Sequence, residues 1–415
     1  MRRVTRRGVL AGIGWAGGLA GVGSGRGRAR TDRRTVTVAT RNCYLGGDLF
    51  DLFAAAAGDE TIQSAVTDLV AAVDRSRVGR RLDAIAGELS RTEPDLVGIQ
   101  EAALIRSGPR SDGTTPTATD VRYDFRERLL SALDARDLPY RVVATTEPAD
   151  VQLPATVEGE PRDVRLTDRD LILAHERVAT DGTTTGTFDA GLSLSVDDRT
   201  VAVDRGYEVV EASVGDLAVT FCNTHLESAS AEVRAAQAAE LRDRLVDRAG
   251  PVVLVGDCNS GPGGSTAAYD HLTADFGDAA GDAGVGATCC HAADLRNADP
   301  SLDARIDHVL VGDRLRVADA TRVGADPTER IAADGERLWP SDHAGVVATL
   351  VPADPTTASP TPSPTERETE AGTEAGTTPT VTGTESDADA PGFGVVATVV
   401  SVVAAATVAA RRHDD

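Results

Sequence analysis

Between Thr35 and Val351 the apolar positions fall mostly into short runs, some alternating with polar residues and some unbroken. An unbroken run bounded by turn residues predicts a strand covered on both faces, and strict alternation predicts one covered on a single face. Val252–Val255, after Pro251, is of the first kind and stops at Gly256, Asp257, Cys258 and Asn259. Leu96–Ile99 repeats the pattern after Pro94 and Asp95 and stops at Gln100 and Glu101. Thr35–Thr40 alternates and ends at Arg41 and Asn42. Further strands are predicted over Tyr140–Thr145, Asp168–Ala174, Arg305–Val311 and Ala344–Val351, the last after Ser341, Asp342 and His343. Tyr207–Val214 and Leu217–Phe221 read as a hairpin turning at Gly215 and Asp216 and leading into Asn223, Thr224 and His225. Helical spacing appears over Ala65–Leu89, with a break near Val78 and Gly79, and over Tyr123–Ala135, Glu232–Arg248 and Thr266–Asp275. Many strands, few interleaved helices and no regular strand–helix–strand rhythm predict an α/β protein with two sheets packed face to face and helices outside.

The strands end in chemistry. Asn42, Glu101, Asn223, His225, Asp257, Asn259, Asp307, Asp342 and His343 all lie at or just beyond predicted strand ends, where a rigid backbone hands side chains to loops that shape a pocket. Taken singly, each reads more simply as a turn former, a helix cap or an Arg partner. Taken together, carboxylates and amides without a thiolate or histidine cluster suit a hard, oxygen-loving cation such as Mg²⁺, with Mn²⁺ as an alternative. Two histidines and further aspartates suit proton transfer and neutralisation of phosphate charge. Metal-assisted phosphodiester hydrolysis needs that combination.

In order along the chain, Asn42 after a first strand, Pro-Asp-Leu-Val-Gly-Ile-Gln-Glu101, Asn-Thr-His225-Leu, Val-Gly-Asp257-Cys-Asn259, Arg-Ile-Asp307-His and Ser-Asp342-His343 resemble the motif series of the endonuclease/exonuclease/phosphatase, or DNase I-like, superfamily. The resemblance runs from about Thr35 to Val351. It implies a four-layered α/β sandwich, two packed and mainly antiparallel sheets flanked by helices, with the site at one end of the sheets. It further implies Glu101 as the principal Mg²⁺ ligand with Asn42 beside it and Asp342 assisting a second metal. Asp257 would orient or deprotonate the attacking water, and Asn259 would hold that water or a phosphate oxygen. His343, oriented by Asp307, would contact the scissile phosphate, and His225 would donate to a non-bridging or leaving oxygen. Asn223 and Asp170 would touch substrate. His308, beside Asp307 on a strand, must face the other way and reads as structural, while His175, His271 and His291 read as surface or core histidines.

Composition changes the picture at the ends and the surface. All 42 basic residues are Arg against 65 Asp and Glu, for a formal net charge of -23. A lysine-free acidic surface suits solubility in concentrated salt, as in a halophilic archaeon, and leaves no basic stripe for long nucleic acid. Residues 1–34 carry Arg6-Arg7 before a short Gly/Ala-rich apolar run, the pattern of a twin-arginine export signal read by the twin-arginine translocase. Residues 35–352 form the domain, and 353–390 a Thr/Pro/Glu-rich stalk unable to bury a core. Residues 391–415 hold Pro391-Gly392-Phe393, an apolar run from Gly394 to Ala410, and Arg411-Arg412. At about 1.5 Å per residue that run just crosses a thin bilayer. It also resembles an archaeal sorting signal processed by an archaeosortase-like enzyme. The expectation is therefore an extracellular, surface-anchored monomer tethered to the membrane at its C-terminus.

Five cysteines are present. Cys222 and Cys258 are candidates for a bridge or for buried small hydrophobes, and the Cys289-Cys290-His291 cluster alone is too little for zinc. The sequence thus predicts a secreted Mg²⁺-dependent phosphodiesterase. Nucleic acid, nucleotide and phospholipid headgroup remain open as phosphate-ester substrates, with a nucleotide or inositol-type phosphomonoesterase or a non-catalytic surface module as alternatives.

Overall fold

Residues 34–47, 49, 52, 61–111, 115–196 and 199–353 are described by the computed structural model. The expected export signal, nearly all of the stalk and the C-terminal anchor lie outside them. Among the described residues no helix is long and apolar enough to cross a membrane.

The first alternating stretch forms β1 (Val36–Asn42), and the run after Pro94 forms β2 (Leu96–Gln100), parallel to it, with Asn42 opposite Gln100. Two helices connect them, α1 (Ile62–Arg75), capped by the Thr61 hydroxyl accepting from the Ser64 N–H, and α2 (Val78–Thr92). The expected break falls at Ser76 and Arg77, where Arg77 turns left-handed at φ 58°. Then follow β3 (Leu104–Pro109), β4 (Asp120–Asp124) and α3 (Phe125–Asp134), and a long hairpin of β5 (Tyr140–Val157) and β6 (Glu160–His175). Next are β7 (Ala179–Thr187), β8 (Leu192–Val196), β9 (Arg199–Val203), β10 (Gly206–Val214) and β11 (Leu217–His225). After α4 (Ala231–Leu245) come β12 (Val252–Asp257), α5 (Ala267–Thr273), β13 (Gly277–Asp278) and α6 (Ala279–Asp282). The chain continues through β14 (Asp307–Val311), β15 (Leu315–Val323), β16 (Ile331–Ala333) and β17 (Glu336–Leu338) to β18 (Gly345–Pro352).

One sheet has the order β15-β18-β1-β2-β6-β3-β4 with β5 paired on β6, and a second runs β13-β14-β12-β11-β10-β7. Only β1–β2 and β11–β12 are parallel within them. Three apolar layers follow from the side-chain alternation. Val38, Leu96 and Ile172 of the first sheet meet Phe221, Val253 and Val309 of the second. Leu82, Ile85 and Leu129 from α2 and α3 cover Val97, Ile99 and Leu171 on the outer face of the first. Leu241 and Leu245 of α4 and Leu272 of α5 cover Cys222, Leu254 and Leu310 on the outer face of the second. The result is the expected helix–sheet–sheet–helix sandwich, with both sheets buried on two faces, which is why their central strands read as continuous apolar runs.

Two expectations need correction. The helix predicted from Tyr123 starts at Phe125, because Tyr123 and Asp124 complete β4 and the Asp124 carboxylate caps α3 through the Glu127 N–H. The short strands predicted at Tyr140 and Asp168 are the ends of one hairpin. Pro148, Pro154 and Pro161 interrupt its pattern, but Pro148 and Pro154 lie on β5, which pairs with β6 alone among the described strands, where an edge tolerates proline, and Pro161 lies at the start of β6, ahead of its pairing with β3. Of the two readings of Cys222 and Cys258, that of buried small hydrophobes holds, since both thiols are free and buried.

The sheets pack tightly at Gly98 in β2, where an added Cβ would lie 2.2 Å from Asn223 Oδ1 and 2.5 Å from Val255 Cγ2. Gly98→Ala is expected to lower unfolding free energy by about 1–3 kcal/mol through overpacking. Gly250→Ala, at a position with nothing within 4 Å of the new Cβ, should change little. Denaturant melts of the two variants in molar salt measure the difference, and equal midpoints would contradict this packing.

Candidate active site

Pairing register brings the strand-end residues together. His225 lies beside Asp257 across the parallel β11–β12 pair, and Asp257 lies opposite Asp307 on β14. Asn42 ends β1 on the other sheet, and Glu101 follows β2 in a left-handed conformation, φ 56°. Asn42 joins the two sheets here. Its Nδ2 donates to Glu101 Oε1 and to Asp257 Oδ2, both at 3.1 Å, while its Oδ1 accepts from the Tyr44 N–H at 2.8 Å. In this geometry Asn42 clamps the carboxylates and offers them its NH₂, rather than presenting an oxygen to a cation as expected. Leu45 N–H donates to Glu101 Oε2 at 2.6 Å. Asp257 also accepts from the Asn259 N–H at 2.9 Å, a bond that the left-handed turn at Asn259 (φ 47°) makes possible. The Asn259 amide in turn donates to the Leu226 carbonyl at 2.9 Å.

The two histidines are set to opposite charge states. His225 Nδ1 faces Arg205 Nη1 at 3.2 Å. A guanidinium can only donate, so Nδ1 accepts and the proton sits on Nε2, 3.6 Å from Asp257 Oδ2. Burial, then the charges of Arg205 and His343, hold His225 well below the usual histidine range. For His343, burial also disfavours the cation, but Asp307, Asp257 and Asp342 outweigh it and hold the ring well above that range. His343 Nδ1 donates to Asp307 Oδ2 at 2.9 Å, leaving Nε2–H for the cavity, 4.0 Å from Asp342 Oδ1. Desolvation raises Asp257 and Asp342 to about 6 each, and raises Glu101.

Of the residues expected from the sequence, Glu101, His225, Asp257, Asn259, Asp342 and His343 line one cavity of about 480 Å³. Asp168, Arg205 and His291 line it too, and the sequence reading missed them. Asp168 Oδ2 pairs with Arg205 Nη1 at 3.3 Å, and the only sequence signal was charge at the start of an apolar strand. His291, expected as a bystander, stacks on Trp339 with ring centres 3.8 Å apart. Cys289 and Cys290, joined as a disulfide, complete that wall.

Two expected substrate contacts fall elsewhere. Asn223 is fully buried between the sheets, donating to Glu208 Oε2 at 2.9 Å and accepting from Gln100 Nε2 at 2.7 Å. Asp170 is also fully buried and receives the Glu101 N–H at 3.3 Å, so it supports the backbone of Glu101 from beneath. His308 turns away, its Nε2 bonding the Ser260 carbonyl at 2.8 Å.

The donor set fits a hard divalent cation. Glu101, Asp257 and Asp342 bring carboxylates to one end of the cavity. Asp257 and Asp307 place carboxylate oxygens beside cationic His343, which itself has no lone pair for a metal, and Asp307 Oδ1 is buried without a partner. Oxygen-rich and anionic, such a set suits Mg²⁺ or Mn²⁺ better than a thiophilic ion.

A family model described as Endonuclease/Exonuclease/phosphatase family matches residues 62–343. Among solved structures, the chain is similar to an endonuclease/exonuclease/phosphatase family protein from Bacteroides thetaiotaomicron, at 15% identity over 76% of this chain and 97% of that one, with a TM-score of 0.50. It is also similar to the mannosyl-6-phosphatase Bt3783 of B. thetaiotaomicron VPI-5482 (16% identity, 76% and 99% covered, TM-score 0.48) and to truncated Caenorhabditis elegans TDP2 (18%, 76% and 97%, 0.42). At these identities the likeness is one of fold. No curated protein matches the chain.

The raised pKa of Asp257 has a sign that can be measured. Without metal, the folded state keeps a proton on Asp257 up to about pH 6, whereas the unfolded chain releases it near 3.8. Its contribution to stability therefore falls as pH rises from about 4 to 6, by a cost on the order of 3 kcal/mol above that window. Asp257→Asn removes this cost, so in EDTA its melting temperature relative to the native chain should rise between pH 4 and pH 7.5. An offset that is the same at both pH values would contradict the assignment.

Proposed function

Because this chain belongs to the endonuclease/exonuclease/phosphatase family, whose members hydrolyse phosphate esters and generally use a divalent metal, we propose that it is a metal-dependent phosphodiesterase acting by in-line attack of water. The observation that carries this reading is the split pair of histidines around Asp257, one neutral and one cationic, at the carboxylate-rich end of a single cavity. Two titratable groups of one type driven apart by their surroundings mark acid–base and electrostatic roles.

Glu101 and Asp342 would hold the cation, Mg²⁺ or Mn²⁺, which when bound supplies Lewis-acid stabilisation of the phosphate charge. Asp257, kept in place by Asn42 and the Asn259 N–H, orients the water, and its pKa of about 6 suits a base working near neutrality. The water oxygen bonds to phosphorus, the bond to the leaving oxygen breaks, one proton passes to Asp257 and the departing oxygen is protonated from cationic His343. Neutral His225 donates Nε2–H to a non-bridging oxygen, and Arg205 adds fixed positive charge beside it. Asp307 acts through His343 by fixing its ring.

The two chain ends support a place for this activity outside the cell, with twin-arginine export and a C-terminal anchor read from residues 1–34 and 391–415. A net charge of -23 disfavours long polynucleotides as substrate, because phosphate binding draws on released counterions and clustered cations.

Hydrolysis of bis-p-nitrophenyl phosphate and of p-nitrophenyl phosphate by the full chain in molar salt, with Mg²⁺ or EDTA, tests the reading. Diester cleavage should require the metal, and Glu101→Gln and Asp257→Asn should each lower kcat by about 100-fold or more. Monoester preference would instead assign a phosphatase. Metal-independent cleavage, or variants as active as the native chain, would overturn the mechanism.

A further inference from the structure

The cavity has two unlike ends. Beyond the carboxylates it continues as a cleft between α1 and the face of β3, β5 and β6. Leu69, Val70 and Val73 of α1 form one wall and Ile105, Leu153 and Val164 the other. Register explains the second wall, since Leu153 lies opposite Val164 and Ile105 opposite Leu166, so their side chains share one face. Along β6, Val164, Leu166 and Asp168 alternate into the same cavity, and one strand thus leads from the apolar end to the charged end. The volume of about 480 Å³ lies within the roughly 300–1,000 Å³ typical of small-molecule sites.

What this arm excludes is as informative as its shape. Among the described residues, the side chains facing each other across it are aliphatic. A base or sugar lying against these aliphatic walls would bury polar groups unpaired at their full desolvation cost. Methylene groups, by contrast, gain from leaving water. Resting on the hydrolase reading above, we propose that the substrate is a phosphate diester of a long aliphatic alcohol, its chain lying in the cleft between α1 and the β5–β6 hairpin and its phosphate among His225, Asp257 and His343.

Methyl p-nitrophenyl phosphate and dodecyl p-nitrophenyl phosphate, both below the micellar concentration, present the same scissile bond to the full chain with and without the arm's occupant. The dodecyl ester should show a kcat/KM at least about tenfold higher, carried mainly by KM. Val70→Phe and Leu69→Phe, each narrowing the cleft away from the carboxylates, should abolish that preference, read as the ratio of kcat/KM for the two esters within each variant. Equal kcat/KM for the two esters in the native chain, or a preference that survives in a folded cleft variant, would overturn the inference and leave the hydrolase reading standing. If neither ester is cleaved, the hydrolase reading falls. Calorimetric titration with dodecyl phosphate against methyl phosphate then decides the cleft by itself, with tighter dodecyl binding supporting it and equal binding overturning it. Phospholipid vesicles separate the sources of the chain. Cleavage there as well assigns it to a membrane lipid, and cleavage of the monomeric ester alone assigns it to a soluble one, either being in accord with the cleft.

Discussion

The candidate site depends on buried arginines that tie strand ends to loops. Arg41, at the end of β1, donates to Glu88 of α2 at 2.8 Å and to the His343 carbonyl. Arg81 of α2, fully buried, reaches the carbonyls of Ser76, Cys43, Tyr44 and Pro340 at 2.7–3.2 Å. Between them they bind α2 to the residues on either side of Asn42 and to the loop carrying Asp342 and His343. Ser341 completes the tie by donating its hydroxyl to the Asn42 carbonyl at 2.9 Å. Breaking one partner of a buried pair such as Arg41–Glu88 typically costs about 3–5 kcal/mol, because the other charge is left uncompensated. The loop holding His343 is therefore fixed by the core of the domain rather than by the site it serves.

That rigidity is what allows opposite charge states on two histidines around one carboxylate. His225 and His343 both lie near Asp257 Oδ2, at 3.6 and 3.7 Å, and both are buried. Arg205 on one side and Asp307 on the other decide which of them carries the proton. A freely turning imidazole would seek the nearest carboxylate, and the distinction would vanish. Arg169 works in the same way around Glu101, bonding the carbonyls of Ala102 and Ala103 and the Asp124 carboxylate. It thereby holds the turn that follows the principal expected metal ligand.

Much of this was legible in the chain because strand ends announce themselves locally. The central strands are covered on both faces, so their apolar runs are unbroken and stop where the sheet stops, and Glu101, Asp257, Asp307 and His343 stand at those stops. What stayed hidden depends on pairing between distant segments. Asn223 shares a face of β11 with His225, two residues on, but it stands short of the strand end, where that face lies between the sheets and meets Gln100 and Glu208. Arg205 and Asp168 sit 37 residues apart, and only the crossing of β6 and the β9–β10 connection makes them a pair. The β5–β6 hairpin was half missed because its prolines obscure the alternation of Val151, Leu153 and Ala155 against Val164 and Leu166.

The missed hairpin and the buried arginines belong to one design constraint. A surface dominated by carboxylates, in a chain whose only strong cation is Arg, must still hold a cluster of acids inside. Lysine would serve such positions poorly, since burial readily strips its proton and its point charge reaches few acceptors at once. Arg81 remains a strong base even with its pKa lowered to about 10 by burial, and its planar fork serves four carbonyls and the Ser76 hydroxyl. With the charged end of the cavity fixed in this way from α2 and β1, α1 and the β5–β6 hairpin carry none of the residues expected to bind metal or act on water. Their facing sides are free to be aliphatic, and the same cavity that concentrates charge at one end can exclude it at the other.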